Sequence, residues 1–367
     1  MSNLRNHLVQ LDGLRFIAVT LVMLDHWLGE ANPFPLGYFG VNLFFVLSGF
    51  LITRILIHSQ QRDTELGRGH GHSLKVFFIR RNLRIWPVYY LTILILALVH
   101  FQGVRLSFWW LITYTTNFWI VIHQSWLGAI DHLWSLAVEE QYYLFFPFLL
   151  LFTPERYLLR MLWSLIGLSV VLRILLFATH APWMTQFVMM PTCLDAFGLG
   201  GILAWLIVYR KEAFERLVMS NAFLLGSFVL YIVHLYVMLT VEPNRNLFTD
   251  VTDRFITSVF CAAIIGRAVL GFGQPLKAIL ENRVATYLGQ ISYGLYLFHN
   301  IVFNYYHTQP TFPTLRVWNK AVSIVPFLNS TPLFQLAYFY ALTVLLAALS
   351  WHLVEKPINS LKGKFSY

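Results

Sequence analysis

The sequence predicts an all-α fold: a polytopic membrane helix bundle of about ten transmembrane helices, with the N- and C-termini cytoplasmic. Three observations carry that expectation. Hydrophobic residues make up 57% of the 367 positions and charged residues only 12%, about half the charged share of a soluble domain. Apolar runs of spanning length recur along the chain. The basic residues then sort onto alternate connections, as cytoplasmic segments require.

The runs fall near 11–30, 38–57, 86–102, 137–152, 158–178, 192–209, 222–241, 254–270, 286–306 and 333–354. The first follows MSNLRNH without a small-residue cleavage site and contains Arg15, so it reads as a retained helix rather than a signal peptide. The stretch 107–127 (SFWWLITYTTNFWIVIHQSWL) is apolar but interrupted by Thr, Asn and His. It reads as an interfacial or re-entrant segment, not an eleventh span.

With the N-terminus inside, nineteen Lys and Arg fall in cytoplasmic segments, most densely at Arg54, Arg62, Arg68, Lys75, Arg80, Arg81 and Arg84. Five fall outside (Arg105, Arg245, Arg254, Arg316 and Lys320), and Arg15 and Arg173 lie within spans. The net charge of +9 is thus topological, and nucleic acid is not an expected partner. An eleventh span would invert everything after it and spoil this pattern. The longest connections are 58–85, 103–136 and 307–332, so residues 1–367 read as a single integral-membrane domain with no appended soluble domain.

Cys193 and Cys261 each sit in an apolar segment and read as packed thiols, neither a disulfide framework nor a metal motif. The GRGHGHS run ending at Ser73 reads as a flexible loop. No metal is expected.

Orientation turns sequence position into depth. Arg15 and His26 are eleven residues apart, three helical turns plus roughly 20°, so they share one face across about 16 Å. Ionisable groups inside a span normally face protein or a wet cavity. Asp12, Arg15, Arg80, Arg81, Arg84 and Glu355 fall at the cytoplasmic level. Converging arginines suit phosphate groups; the alternative reading of Arg80, Arg81 and Arg84 is topogenic charge at lipid headgroups. In the outer half lie His26, Glu139, Glu140, Arg173, Asp195 and His299. Histidine beside carboxylate suits general base catalysis, while Arg173 with Asp195 or Glu139 reads equally well as a buried ion pair. A funnel with cations below and an imidazole above matches a coenzyme A thioester: anionic phosphates, a thin arm and a reactive acyl tip.

Several motifs then carry a resemblance. LDGLRFIAVTLVMLDH leads into FGVNLFFVLSGFLIT (Phe39 to Thr53), RRNLRIWPVYY (Arg80 to Tyr90) and HLWSLAVEEQYYLFFP (His132 to Pro147). Weaker matches are LDAFGLGGILA, ISYGLYLFHN and HLVEKPI. In this order and spacing they resemble the acyltransferase 3 family of membrane-bound O-acyltransferases. The resemblance implies transfer of an acyl group, acetyl being commonest, from cytoplasmic acyl-CoA to a hydroxyl of a sugar, polysaccharide or other cell-envelope or secreted acceptor, in a bacterial inner membrane. Glycan-assembly proteins are conceivable partners. By the same resemblance Arg15 and His26 are the essential pair. Arg81 and Arg84 are donor-binding or structural, and Glu139 and Glu140 are site carboxylates, one of which would orient His26. Trp134, Ser135, Tyr296 and His299 are expected to line the pocket or stabilise the oxyanion. Direct transfer and an acyl-histidine intermediate both fit these residues. Asp25 departs from the apolar residue usual before the histidine; it points about 100° from His26, toward acceptor or a neighbouring helix. The competing class is a transporter of a small anion or lipid-linked sugar, which would more often show inverted repeats.

Overall fold

The computed structural model of the chain describes residues 8–101, 103–241 and 246–366. These are almost wholly helical and contain no strand. Arg5 and Arg245, counted above on opposite sides, lie outside the described residues.

The principal helices are α1 (Val9–Leu28), α2 (Leu36–Glu65), α3 (Gly71–Leu98), α4 (Val104–Ile112), α5 (Thr116–His123), α6 (Leu133–Phe152) and α7 (Leu158–Ala178). They continue as α8 (Leu194–Tyr209), α9 (Asn221–Tyr236), α10 (Leu247–Leu270), α11 (Arg283–Gln290), α12 (Ser292–Val302) and α13 (Pro332–Ser350). By length and composition, five helical stretches could cross a membrane: Leu36–Glu65, Glu155–Ala178, Met190–Tyr209, Asn221–Thr240 and Pro332–Lys364. α1 is not among them, having Asp12, Arg15 and Asp25 within 20 residues.

Three regions bear on the sequence reading. The stretch 107–127 forms the short helices α4 and α5 with Tyr114 at φ +53° between them. At 1.5 Å per residue each rises about 12–14 Å, less than half of the roughly 30 Å hydrocarbon core. The run 286–306, expected as one helix, is instead two, α11 and α12, meeting at Ile291. The GRGHGHS run is also not the loose loop expected. The buried Asp63 gathers Arg68 (2.7 Å) and His70 (3.1 Å), and α3 begins at Gly71.

α2 is the central post, packed against α8, α1, α10 and α6. Its crossing with α8 is set by two glycines. A Cβ on Gly49 would strike the Phe197 carbonyl, and one on Gly200 the Val46 carbonyl. Small residues are what let two helix backbones approach this closely inside a membrane. Around the crossing, Phe45 stacks on Phe197 and Phe197 on Tyr142, tying α2, α8 and α6 into one core. α8 is also locked to α7 by Arg173 and Asp195, Nη2 to Oδ2 2.6 Å, both almost fully buried. Arg173 further donates to the Thr192 carbonyl at 2.9 Å. This is the ion-pair reading of those residues, and it holds two helices together.

The start of α2 has its own device. Asp25, near the end of α1, sets its carboxylate against the backbone N–H groups of Leu36 and Gly37 and accepts from Asn32 Nδ2 at 2.8 Å. A carboxylate there satisfies orphan donors and complements the helix dipole. Asp25 thus serves a neighbouring helix, one of its two expected roles. Cys193 and Cys261 are free and buried, as packed thiols should be.

Because the Gly200–Val46 approach leaves no room, Gly200→Leu should lower the thermal unfolding midpoint in detergent, on the scale of about 1–3 kcal/mol for overpacking. Gly226→Leu, with nothing within 4 Å of its Cβ position, should leave that midpoint unchanged. Equal midpoints for the two variants would remove the crossing as a structural constraint.

Candidate functional site

Four helices supply the site in pairs spaced three or four residues, the spacing that puts side chains on one helical face. Asp12 and Arg15 come from α1, Arg81 and Arg84 from α3, Ser135 and Glu139 from α6, Tyr293 and Tyr296 from α12. With Arg54 of α2 they line a cavity of about 380 Å³, within the usual range for small-ligand sites. Much of the remaining lining is apolar: Val41, Phe44, Phe45, Leu47, Leu51 and Leu136.

At the cationic end, Arg15 Nη1 contacts Asp12 Oδ1 at 2.5 Å. The Arg81 guanidinium lies 3.8 Å from the centre of the Tyr143 ring, a cation–π contact. The Arg84 side chain makes no hydrogen bond or ion pair with any described residue. Arg80, grouped with these by sequence, turns away: its Nη1 donates to the backbone oxygens of Lys362 (3.0 Å) and Phe365 (2.7 Å). It straps the C-terminal segment along α3 and does not line the cavity.

The carboxylates differ from expectation. Glu139 lines this arginine cavity and accepts from Ser48 Oγ at 2.8 Å, and Ser48 in turn accepts from Tyr143 OH at 2.9 Å. Glu140 accepts from Trp86 Nε1 at 3.3 Å. Neither is hydrogen-bonded to His26. Both are on α6, whose start at Leu133 puts the region just before it, not the glutamates, beside the imidazoles.

His26 is oriented by other groups. Its Nδ1 lies 2.9 Å from the Val22 carbonyl and 3.4 Å from His299 Nε2. A carbonyl oxygen can only accept, so Nδ1 carries the proton and Nε2 is the basic nitrogen. His299 Nδ1 is 2.6 Å from the Tyr296 carbonyl, which by the same logic leaves its Nε2 as an acceptor facing His26. His132 donates from Nε2 to the Leu297 carbonyl at 3.3 Å, and its Nδ1 accepts from Asn300 Nδ2 at 3.2 Å. Asn300 also donates to Asp131 at 3.0 Å. The three rings touch in sequence, His26 to His299 at 5.1 Å and His299 to His132 at 4.8 Å between centroids. His299 is fully buried, whereas His26 keeps partial exposure.

The cavity and the cluster share a wall. Tyr296 OH is 2.5 Å from Ser135 Oγ and donates to the His132 carbonyl at 3.2 Å, while the Tyr296 ring stands 5.5 Å from His299. Ser135 and Tyr296 line the cavity; His299 stands against Tyr296, and His26 against His299. Trp134 does not line it, and packs instead between Phe45 and Phe187. The sequence reading missed Arg54, counted as one more cytoplasmic charge, and Asp131, His132 and Asn300. An adjacent Asp–His pair before a helix was the available signal.

The arrangement offers an anion chamber whose apolar stretch, a throat for a thin ligand, is divided by the Ser135–Tyr296 wall from a base with a fixed tautomer. Inorganic pyrophosphate should therefore raise the thermal midpoint of the purified protein, and Arg84→Gln should weaken that binding about tenfold, the scale of one charge-assisted contact. Equal stabilisation of both proteins would take Arg84 out of the anion chamber.

Comparison with known proteins places residues 8–352 in a family model described as an acyltransferase domain. The chain is 28% identical to a protein named "Putative O-acetyltransferase" in Staphylococcus aureus strain MRSA252, over 97% of this chain and 59% of that one. It is 26% identical to the "Peptidoglycan O-acetyltransferase OatA" of Listeria monocytogenes, over 97% of this chain and 56% of the relative. To the "Putative peptidoglycan O-acetyltransferase YrhL" of Bacillus subtilis it is 28% identical, over 95% and 54%. The chain thus spans little more than half the length of these relatives. No solved structure is a significant match.

Proposed function

We propose that this chain, which belongs to the acyltransferase 3 family, moves an acyl group, acetyl first among candidates, from cytoplasmic acyl-CoA to a hydroxyl of a bacterial cell-envelope glycan. The names of the Listeria and Bacillus relatives make peptidoglycan the first acceptor to test. The chain crosses the plasma membrane about ten times with both ends inside. In support, Asp12 near one end and Lys362 near the other line a common cavity.

The single observation that carries this reading is the shared Ser135–Tyr296 wall: the cavity it lines is also lined by the arginines, and Tyr296 packs on His299 of the His26 cluster. Arg15, Arg54, Arg81 and Arg84 hold the donor phosphates, and the apolar throat takes the pantetheine arm. The thioester then abuts Ser135 and Tyr296, whose hydroxyls turn from the His132 carbonyl to donate to the oxyanion. The acceptor hydroxyl approaches from the partly exposed side of His26. Nε2 takes its proton as oxygen bonds to the carbonyl carbon. The C–S bond then breaks, and the departing thiolate receives that proton from the imidazolium. Val22 O and His299 Nε2 accept from Nδ1–H throughout, the role expected of a glutamate. For catalysis, the cluster must come within reach of the thioester as the substrates bind.

General base catalysis contributes typically about 10²–10⁴-fold, so His26→Ala should reach the membrane in normal amount and reduce acylation by at least about 100-fold. The readout is mass spectrometry of surface glycans in cells, supported by liposomes given labelled acyl-CoA and acceptor. Undiminished product from His26→Ala removes His26 from the chemistry, and solute uptake without acyl transfer supports a carrier instead.

A further inference from the structure

A second cavity adjoins the arginine chamber. It has a volume of about 240 Å³ and shares Asp12, Arg15, Arg84 and Tyr293 with the first. Its other walls come from the end of the chain: Trp351, Glu355, Asn359 and Lys362, with Gln290 from α11. The proposed mechanism, which needs one run of phosphates and an arm, makes no use of it.

Its charges are unbalanced. Of the three cations, Arg15 is engaged by Asp12. Among the described residues, neither the Arg84 guanidinium nor the Lys362 ammonium has a hydrogen-bonded or ion-paired partner. Glu355 is buried and accepts from Ser350 Oγ at 3.0 Å. Trp351 adds an aromatic face, and the Asn359 side-chain oxygen is buried without a donor. Lys362 is fixed in place from outside the cavity. Arg80 grips its carbonyl, and His72 Nε2 lies 3.1 Å from the Ser366 carbonyl, so the terminal segment is bound along α3 at two points.

Resting on the acyl-CoA reading, we infer that this annex takes the nucleotide end of the donor and that Lys362, with Arg84, binds its 3′-phosphate. Coenzyme A carries two separated anionic groups, a pyrophosphate on the 5′ side of the ribose and a monoester on its 3′ oxygen. Two contiguous chambers meeting at Arg84, one leading to the throat and one closing on Lys362 and Trp351, match that branching. The pyrophosphate faces the arginines of the first chamber, the 3′-phosphate enters the second, and the adenine has the Trp351 face to stack on. Lys362 is a specificity residue here, not a catalytic one.

The test is binding of coenzyme A and of dephospho-coenzyme A, which lacks only the 3′-phosphate, to the purified full chain in nanodiscs by calorimetry. The native chain should bind coenzyme A about tenfold tighter, the scale of a charge-assisted contact. Lys362→Met should bring coenzyme A down to the level of the dephospho form while leaving the dephospho form unchanged, and Lys362→Arg should retain the preference. Coenzyme A binding with no preference for the 3′-phosphate, or equal weakening of both ligands by Lys362→Met, overturns the annex assignment and leaves the donor reading standing. Failure of the native chain to bind either ligand overturns both.

Discussion

Guanidinium groups enclosed in an apolar bundle, in a cavity lined by more arginines than carboxylates among the described residues, are the constraint from which the rest of this structure follows. Burying a charge is tolerable only when it is paired or faces a polar space. Arg173 meets that condition with Asp195 and becomes structural. Arg15 meets it in part through Asp12. Arg84 meets it only through the cavities it lines. The bundle therefore keeps an open, positively charged chamber between α1, α2, α3 and α12, and an anion is the natural occupant.

The second half of the site is built on neutrality. His26, His299 and His132 occupy one connected cluster, and each has its tautomer fixed by a backbone carbonyl. Among the described residues no carboxylate is bonded to His26, and Asp131 joins the network through Asn300. Such a cluster costs less to bury than an ion pair. It still gives the His26 imidazolium an acceptor when a proton arrives. One tyrosine–serine wall thus separates the cationic binding chamber from the proton-handling cluster.

How much of this was legible in the sequence depended on whether the information lay along one helix or between several. Arg15 and His26 on one face of α1 follow from counting residues, and so does the polar interruption that breaks 107–127 into α4 and α5. Of the positive charge grouped at Arg80, Arg81 and Arg84, the last two line the chamber. What failed was depth on α6 and azimuth on α3. Matching depth suggested that Glu139 or Glu140 orients His26, but Glu139 lies a turn beyond Ser135, among Arg81 and Ser48, and Glu140 meets Trp86. Arg80 is one position from Arg81, about 100° around the helix, and that rotation is the difference between lining a cavity and strapping the C-terminal segment. The second chamber was out of reach for the same reason, since it joins residues 12 and 362 through packing alone.

Photo-crosslinking tests the central claim most directly: a coenzyme A thioester with a diazirine at its acyl tip would be bound to the purified protein, irradiated and mapped by peptide mass spectrometry. Adducts should concentrate on α6 around Ser135 and on α12 around Tyr296, with excess coenzyme A suppressing them. Adducts scattered over an outward-facing helix such as α9, or unaffected by competing coenzyme A, would contradict a donor threaded from the arginines toward the imidazoles.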